Sequence, residues 1–131
     1  MIVEATKDLI KDILHIIARG VIDALPIKGN ILLIFLMAKI TMRTQEDFEE
    51  IYQLLWNAYN GVLAAKSYAK NDKDLKSVSK FEEFLGEKVK KIRHIAIERN
   101  IFSDEIEVRV IEKSHEYVSN LIAKESKGEK R

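Results

Sequence analysis

Cysteine is absent from the 131 residues, which excludes disulfide staples, thiolate metal sites and cysteine nucleophiles. Proline occurs once, at Pro26, and glycine only five times, so few positions are committed to turns. Gly29, Gly61 and Gly86 stand isolated, and none follows a strand to open a helix, which argues against a glycine-rich phosphate loop. Long hydrophobic runs are missing as well. The longest covers residues 31–38 and stops at Lys39, whereas a membrane-spanning helix needs about 20 apolar residues. The beginning carries Glu4 and Asp8 where a signal peptide needs basic residues, so the chain is read as cytoplasmic with no membrane partner. Neither sign of charge dominates. The 22 basic and 21 acidic side chains leave a net charge of +1, which argues against a protein built mainly to hold nucleic acid.

What is present is apolar content, 47% of the residues, enough to offset the conformational entropy of ordering one domain of this length. Lys, Glu and Ile are abundant and Gln is scarce, a composition like that of heat-resistant proteins. The apolar residues recur at helical spacing, and the expectation is an all-α fold: a compact bundle of about five helices in a single domain over 1–123, followed by a flexible, basic, disordered tail over 124–131.

The first expected helix spans about 6–24. It gathers Leu9, Ile10, Ile13, Leu14, Ile17 and Val21 on one side, opposite Asp8, Lys11, Asp12, His15 and Arg19. Pro26 and Gly29 then read as a breaker cluster. Residues 31–40 are apolar on every side until Lys39, which predicts a short helix enclosed by its neighbours. A longer helix follows, with Thr44 and Asp47 able to cap its start. Phe48, Ile51, Tyr52, Leu55, Trp56, Tyr59, Val62 and Leu63 form its broad stripe, and Leu54, Ala58 and Ala65 widen it toward more than one neighbour. Residues 71–79 read as a charged linker before a Ser79 to Glu82 capping box opens the next helix, buried through Phe81, Leu85, Val89, Ile92, Ile95 and Ala96. Asn100 is expected to close it. Ser103 caps the last helix, whose buried positions include Ile106, Val110, Tyr117, Val118, Leu121 and Ile122. Its start, 106–110, also alternates like a strand, but the pattern downstream is helical.

No residue constellation carries a catalytic signature, and no cofactor or metal site is expected. Glu46 and Glu49 lie one turn apart, as Mg²⁺ ligands can, but a second acidic pair is needed and Glu82, Glu83 and Glu87 lack the aspartate. Acidic residues also favour first turns because amides are unpaired there. The leading expectation is an interaction or assembly module, binding itself as a homodimer or another protein. Its expected contact residues are Tyr52, Trp56, Tyr59 and Tyr68, amphipathic aromatics in greater supply than a small bundle must hide.

Two alternatives have residues of their own. Residues 66–99 hold 10 basic and 6 acidic side chains, and Lys88, Lys90, Lys91 and Arg93 can contact the phosphates of RNA or DNA. A helix-turn-helix across 41–44 is excluded, because the recognition helix would begin with Glu46, Asp47, Glu49 and Glu50. Finally, Arg109 and His115 have a spacing that resembles the arginine and histidine pair of compact helical nucleases of the HEPN class. The resemblance covers two residues, with Val110 where that class usually has a polar residue. It implies a dimer whose histidines meet across the interface, so that His115 or its mate handles a 2′-hydroxyl proton while Arg109 stabilises phosphate charge.

Overall fold

The computed structural model describes the backbone of residues 25–67, 69 and 71–129, and the side chains of 29, 31–67, 69 and 71–123. Four helices occur among them: α1 (Leu25–Thr41), α2 (Gln45–Lys66), α3 (Asp72–Glu98) and α4 (Asp104–Glu129). The fold is all-α, and α2 is its axis, packed against both α3 and α4, while α1 lies across α3 and one end of α2. The expected helix over 6–24, with His15, lies outside the described residues. So do the side chains from Lys124 onward, where the tail was expected, although helical backbone continues to Glu129.

The central position of α2 follows from its width of apolar surface. Phe48, Ile51, Tyr52, Leu55, Ala58, Val62 and Ala65 are buried in one continuous core with Phe81, Leu85, Ile92 and Ala96 of α3 and Ile106 and Val110 of α4. Leu54 is also buried. A stripe this broad cannot be covered by one neighbour, as its sequence implied. Buried residues of α4 follow at positions 106, 110, 114, 118 and 121, a spacing that only a helix produces, so the strand-like alternation at its start has no structural counterpart.

Caps set the ends of these helices. Thr44 Oγ1 accepts from the Asp47 amide at 3.1 Å, and Asp47 Oδ2 accepts in return from the amides of Thr44 and Arg43, both at 3.1 Å. These bonds to Arg43 and Thr44 hold the Asp47 carboxyl below its ordinary range. Because the folded pKa is depressed, the stabilisation is present above the unfolded value, about pH 4, and disappears as pH falls through the lowered one. Asp47→Asn should therefore flatten the acid limb of a Tm profile recorded from pH 6 to pH 2. A profile that keeps its acid-side slope in the variant would assign that limb to other carboxylates.

At the far end of α3, Asn100 adopts a left-handed φ of 62°. Its amide donates to Ile97 O, and that of Ile101 donates to Ala96 O, a Schellman closure that turns the chain into α4. Ser103 then supplies the α4 cap, accepting from the Ile106 amide at 3.4 Å. Arg99 reaches back from the same corner to donate to Met42 O at 2.6 Å and Lys39 O at 2.7 Å, satisfying carbonyls at the end of α1.

Three expectations are corrected. Pro26 and Gly29 do not precede the apolar helix but lie in the first turns of α1, where proline's missing amide donor costs nothing. Residues 71–79 are not a linker. Asn71 caps α3 by accepting from the Asp74 amide at 2.8 Å, Asp72 and Asp74 favour that terminus, and Ser79 and Glu82 fall inside the helix. Nor is the 31–40 segment enclosed by its neighbours. Ile31, Ile34, Phe35 and Ala38 face the core, but the opposite side is open.

Candidate functional site

The helices α3 and α4 both rest on α2, and between them lies a groove floored by Tyr52, Trp56 and Tyr59. These three sit at i, i+4 and i+7 on α2 and therefore on one side of it. Their rings interlock edge to face, with centroids 6.2 Å apart for Tyr52 and Trp56 and 5.5 Å for Trp56 and Tyr59. A cavity of about 270 Å³ opens above them, walled by Gly86, Val89, Lys90 and Arg93 of α3 and by Glu107 and Ile111 of α4. Gly86 faces the Tyr59 ring across the groove. A Cβ at position 86 would stand 3.5 Å from Tyr59 Cε1, in ordinary contact, and would project beside the ring that floors the cavity.

The polar groups of the groove are largely committed to each other. Glu107 Oε2 accepts from the Tyr52 hydroxyl at 2.6 Å and from Arg93 Nε at 2.8 Å, while the Arg93 guanidinium carbon lies 4.7 Å from the Phe102 ring centroid. Burial, reinforced by the bond to Glu107, pushes the Tyr52 hydroxyl well above its ordinary range, so it stays neutral. The bond to Glu107 raises Arg93 further. The Trp56 Nε1 donor is buried and interacts with the Tyr52 hydroxyl without forming a well-aligned hydrogen bond. The groove thus offers an aromatic floor and a charge-paired rim, suited to burying a flat apolar surface. Its carboxylate is already engaged by two donors and is poorly placed to act as a general base.

Tyr52 is only 1% exposed, so its surface is used inside the chain; Trp56 and Tyr59 are half-buried, and Tyr68 lies outside the described residues. The cationic set divides. At about 100° per residue, Lys90 and Arg93 fall on one side of α3, over the aromatic groove, and Lys88 and Lys91 on the other, against α1. Arg109 pairs with Glu49 rather than with His115, through Nε to Oε2 at 2.9 Å and Nη2 to Oε1 at 2.5 Å. That bond raises Arg109 and lowers Glu49. His115 is exposed, about 120° further round α4. His94 is also at the surface, 3.0 Å from Glu98. Glu46 and Glu50 point to solvent, and no group of three metal-ligating side chains occurs among the described residues.

Sequence reasoning did not identify Glu107, which joins Tyr52 and Arg93, or the buried pair in which Asn60 Nδ2 donates to Ser114 Oγ at 2.7 Å. The Tyr52–Glu107 and Asn60–Ser114 bonds each link residues more than 50 positions apart, and no local spacing announces such pairs. No helix among the described residues is long and apolar enough to cross a membrane. The chain matches no protein-family model, no curated protein and no solved structure.

Proposed function

We propose that this chain is a helical assembly module that associates with a second copy of itself through the outer side of α1. The observation that carries this reading is the run of large apolar side chains left uncovered there: Leu32, Leu33, Leu36, Met37 and Ile40, with Leu33 57% and Ile40 71% exposed. At about 100° per residue they occupy one continuous sector, over an axial length of about 12 Å. Lys39 lies at its edge. Contiguous apolar surface of this kind marks contact sites more often than scattered exposed leucines do.

Self-association is favoured over a charged partner because the sector itself carries no charge to be buried against its own image. Gly29 lies on the centre line of that sector, one turn before Leu32, exposed and with open space where a side chain would be, so a second helix can approach the backbone closely there. A two-fold contact would bring these same residues together from both copies. The groove over Trp56 and Tyr59 is the second surface open to a partner, but most of its rim charge is already paired.

Sedimentation equilibrium at micromolar concentration should find a dimer, and Leu33→Glu with Ile40→Glu should convert it to a monomer of unchanged helical circular dichroism. Both positions are exposed, so the substitutions should spare the fold. A wild-type chain that stays monomeric up to about 100 μM, far above a micromolar Kd, would reject self-association. A dimer weakened by Tyr59→Glu but not by the α1 variant would move the contact to the aromatic groove.

A further inference from the structure

On the side of α3 away from the groove, three lysines converge on one ring. Phe35 of α1 is buried, and its centroid lies 4.8 Å from Lys39 Nζ, 4.9 Å from Lys88 Nζ and 5.9 Å from Lys91 Nζ. Local spacing accounts for the convergence, since Phe35 and Lys39 are i and i+4 on α1 and Lys88 and Lys91 are i and i+3 on α3. Three ammonium groups around one point are necessarily within about a Debye length of one another, so their repulsion is only weakly screened.

Compensation by carboxylates among the described residues is slight: the Glu87 charge favours the Lys88 ammonium, but less than Lys91 opposes it. None of the three forms an ion pair among the described residues, in contrast to Lys66, Arg93 and Arg109, which pair with Glu82, Glu107 and Glu49. The second observation is Lys88 itself, which is only 8% exposed although it carries a charge. Its ammonium lies against the faces of Phe35 and Phe84, 5.3 Å from the latter centroid. Aromatic faces attract a cation, but they do not neutralise one. Burial, followed by the neighbouring Lys91 charge, lowers the Lys88 pKa, the mark of a cation whose surroundings do not yet favour it.

We infer that Lys39, Lys88 and Lys91 form a binding site for a phosphate group, seated where α1 crosses α3 above the Phe35 ring. Phosphate is the chemistry that fits: a phosphate group presents several acceptor oxygens and up to two negative charges to donors that carry three positive ones, whereas a single carboxylate would leave most of the repulsion in place. Such a group can arrive as a free phosphate or nucleotide, or within a nucleic-acid backbone. The inference is independent of self-association, because Lys39 stands at the edge of the apolar sector and the other two lysines belong to α3.

Thermal unfolding of the full chain in increasing pyrophosphate, with NaCl at matched ionic strength as reference, should show a saturable rise in Tm of several degrees. Lys88→Met should leave the unliganded Tm unchanged or raise it, since an uncompensated cation is replaced by an apolar side chain of similar length, and should weaken pyrophosphate binding at least tenfold. Lys39→Ala with Lys91→Ala, at exposed positions, should weaken it likewise. Lys73→Ala with Lys76→Ala removes equal charge from the start of α3 and should have little effect. A Tm response that follows ionic strength alone, or binding that survives Lys88→Met, would overturn the site. Fluorescence anisotropy with a 12-nucleotide single-stranded RNA separates the two sources. Binding of the RNA at least tenfold tighter than pyrophosphate, lost in Lys88→Met, assigns the site to a nucleic-acid backbone; equal or weaker RNA binding assigns it to a free phosphate or nucleotide.

Discussion

Phe48→Ala should destabilise the chain by about 3–5 kcal/mol, a substantial share of the roughly 5–15 kcal/mol that holds a domain together. Phe48 has no exposed surface, and its ring stacks on Tyr52 with centroids 4.8 Å apart and meets Phe102 at 5.8 Å. It stands where the first turns of α2 meet the segment between α3 and α4, so removal of the ring opens a void between them. The α2 side is a rigid helix, which limits collapse, and incomplete collapse is what makes a cavity costly. Differential scanning calorimetry should record a fall in Tm of roughly 10–20 °C. A loss below about 1 kcal/mol would mean that the corner repacks freely and that Phe48 is not a fixed part of the core.

The second large effect concerns Asn60 and Ser114. Both are buried, at 5% and 0% exposure, and the 2.7 Å bond between them ties the middle of α2 to the middle of α4. Asn60→Leu or Ser114→Ala alone should cost about 1–3 kcal/mol, because each strands the other's polar group away from water. The double variant removes both polar groups together, and chemical denaturation should show it losing less than the sum of the two single losses. Strict additivity would show that the bond contributes no coupling.

The reason such a pair escapes a reading of sequence is visible in its neighbours. Ser114 occupies a core position in α4 between Val110 and Val118, where hydrophobic periodicity registers only an interruption. Asn60 likewise sits between Ala58 and Val62 without local indication of a partner. Thr44 and Asp47 were legible because both halves of their reciprocal cap lie three residues apart, and Asn100 because a non-glycine residue that tolerates positive φ closes helices well. Asn71 was not legible. The first two turns of α3 carry exposed Leu75 and buried Val78 among charged residues, too little apolar signal to outweigh the linker-like composition, and the stronger motif at Ser79 drew the boundary inward.

The candidate sites divide along the same line. Helical spacing places Lys88 and Lys91 on one side of α3 and Lys90 and Arg93 on the other, so the separation of these cations was present in the sequence, but their surroundings were not. That Arg93 is consumed by Glu107 while Lys88 is buried beside an aromatic ring depends on α4 and α1, whose positions no spacing within α3 discloses. The outer side of α1 was obscured for a different reason. A helix apolar on all sides reports that it needs cover, not how much of that cover comes from the elements nearest to it.

The two hydrogen bonds from Arg99 to the last carbonyls of α1 give that helix one fixed end. Together with buried Met42 they pin residues 39–42 to the corner between α3 and α4, while Ile31 and Phe35 seat the preceding turns of α1 in the same core. Lys39 belongs to the pinned stretch, because its carbonyl is one of the two that Arg99 holds. The spacing of its ammonium from Lys88 and Lys91 is therefore set by the corner that starts α4, so a substitution at Arg99, which touches none of the three lysines, would disturb all three distances at once.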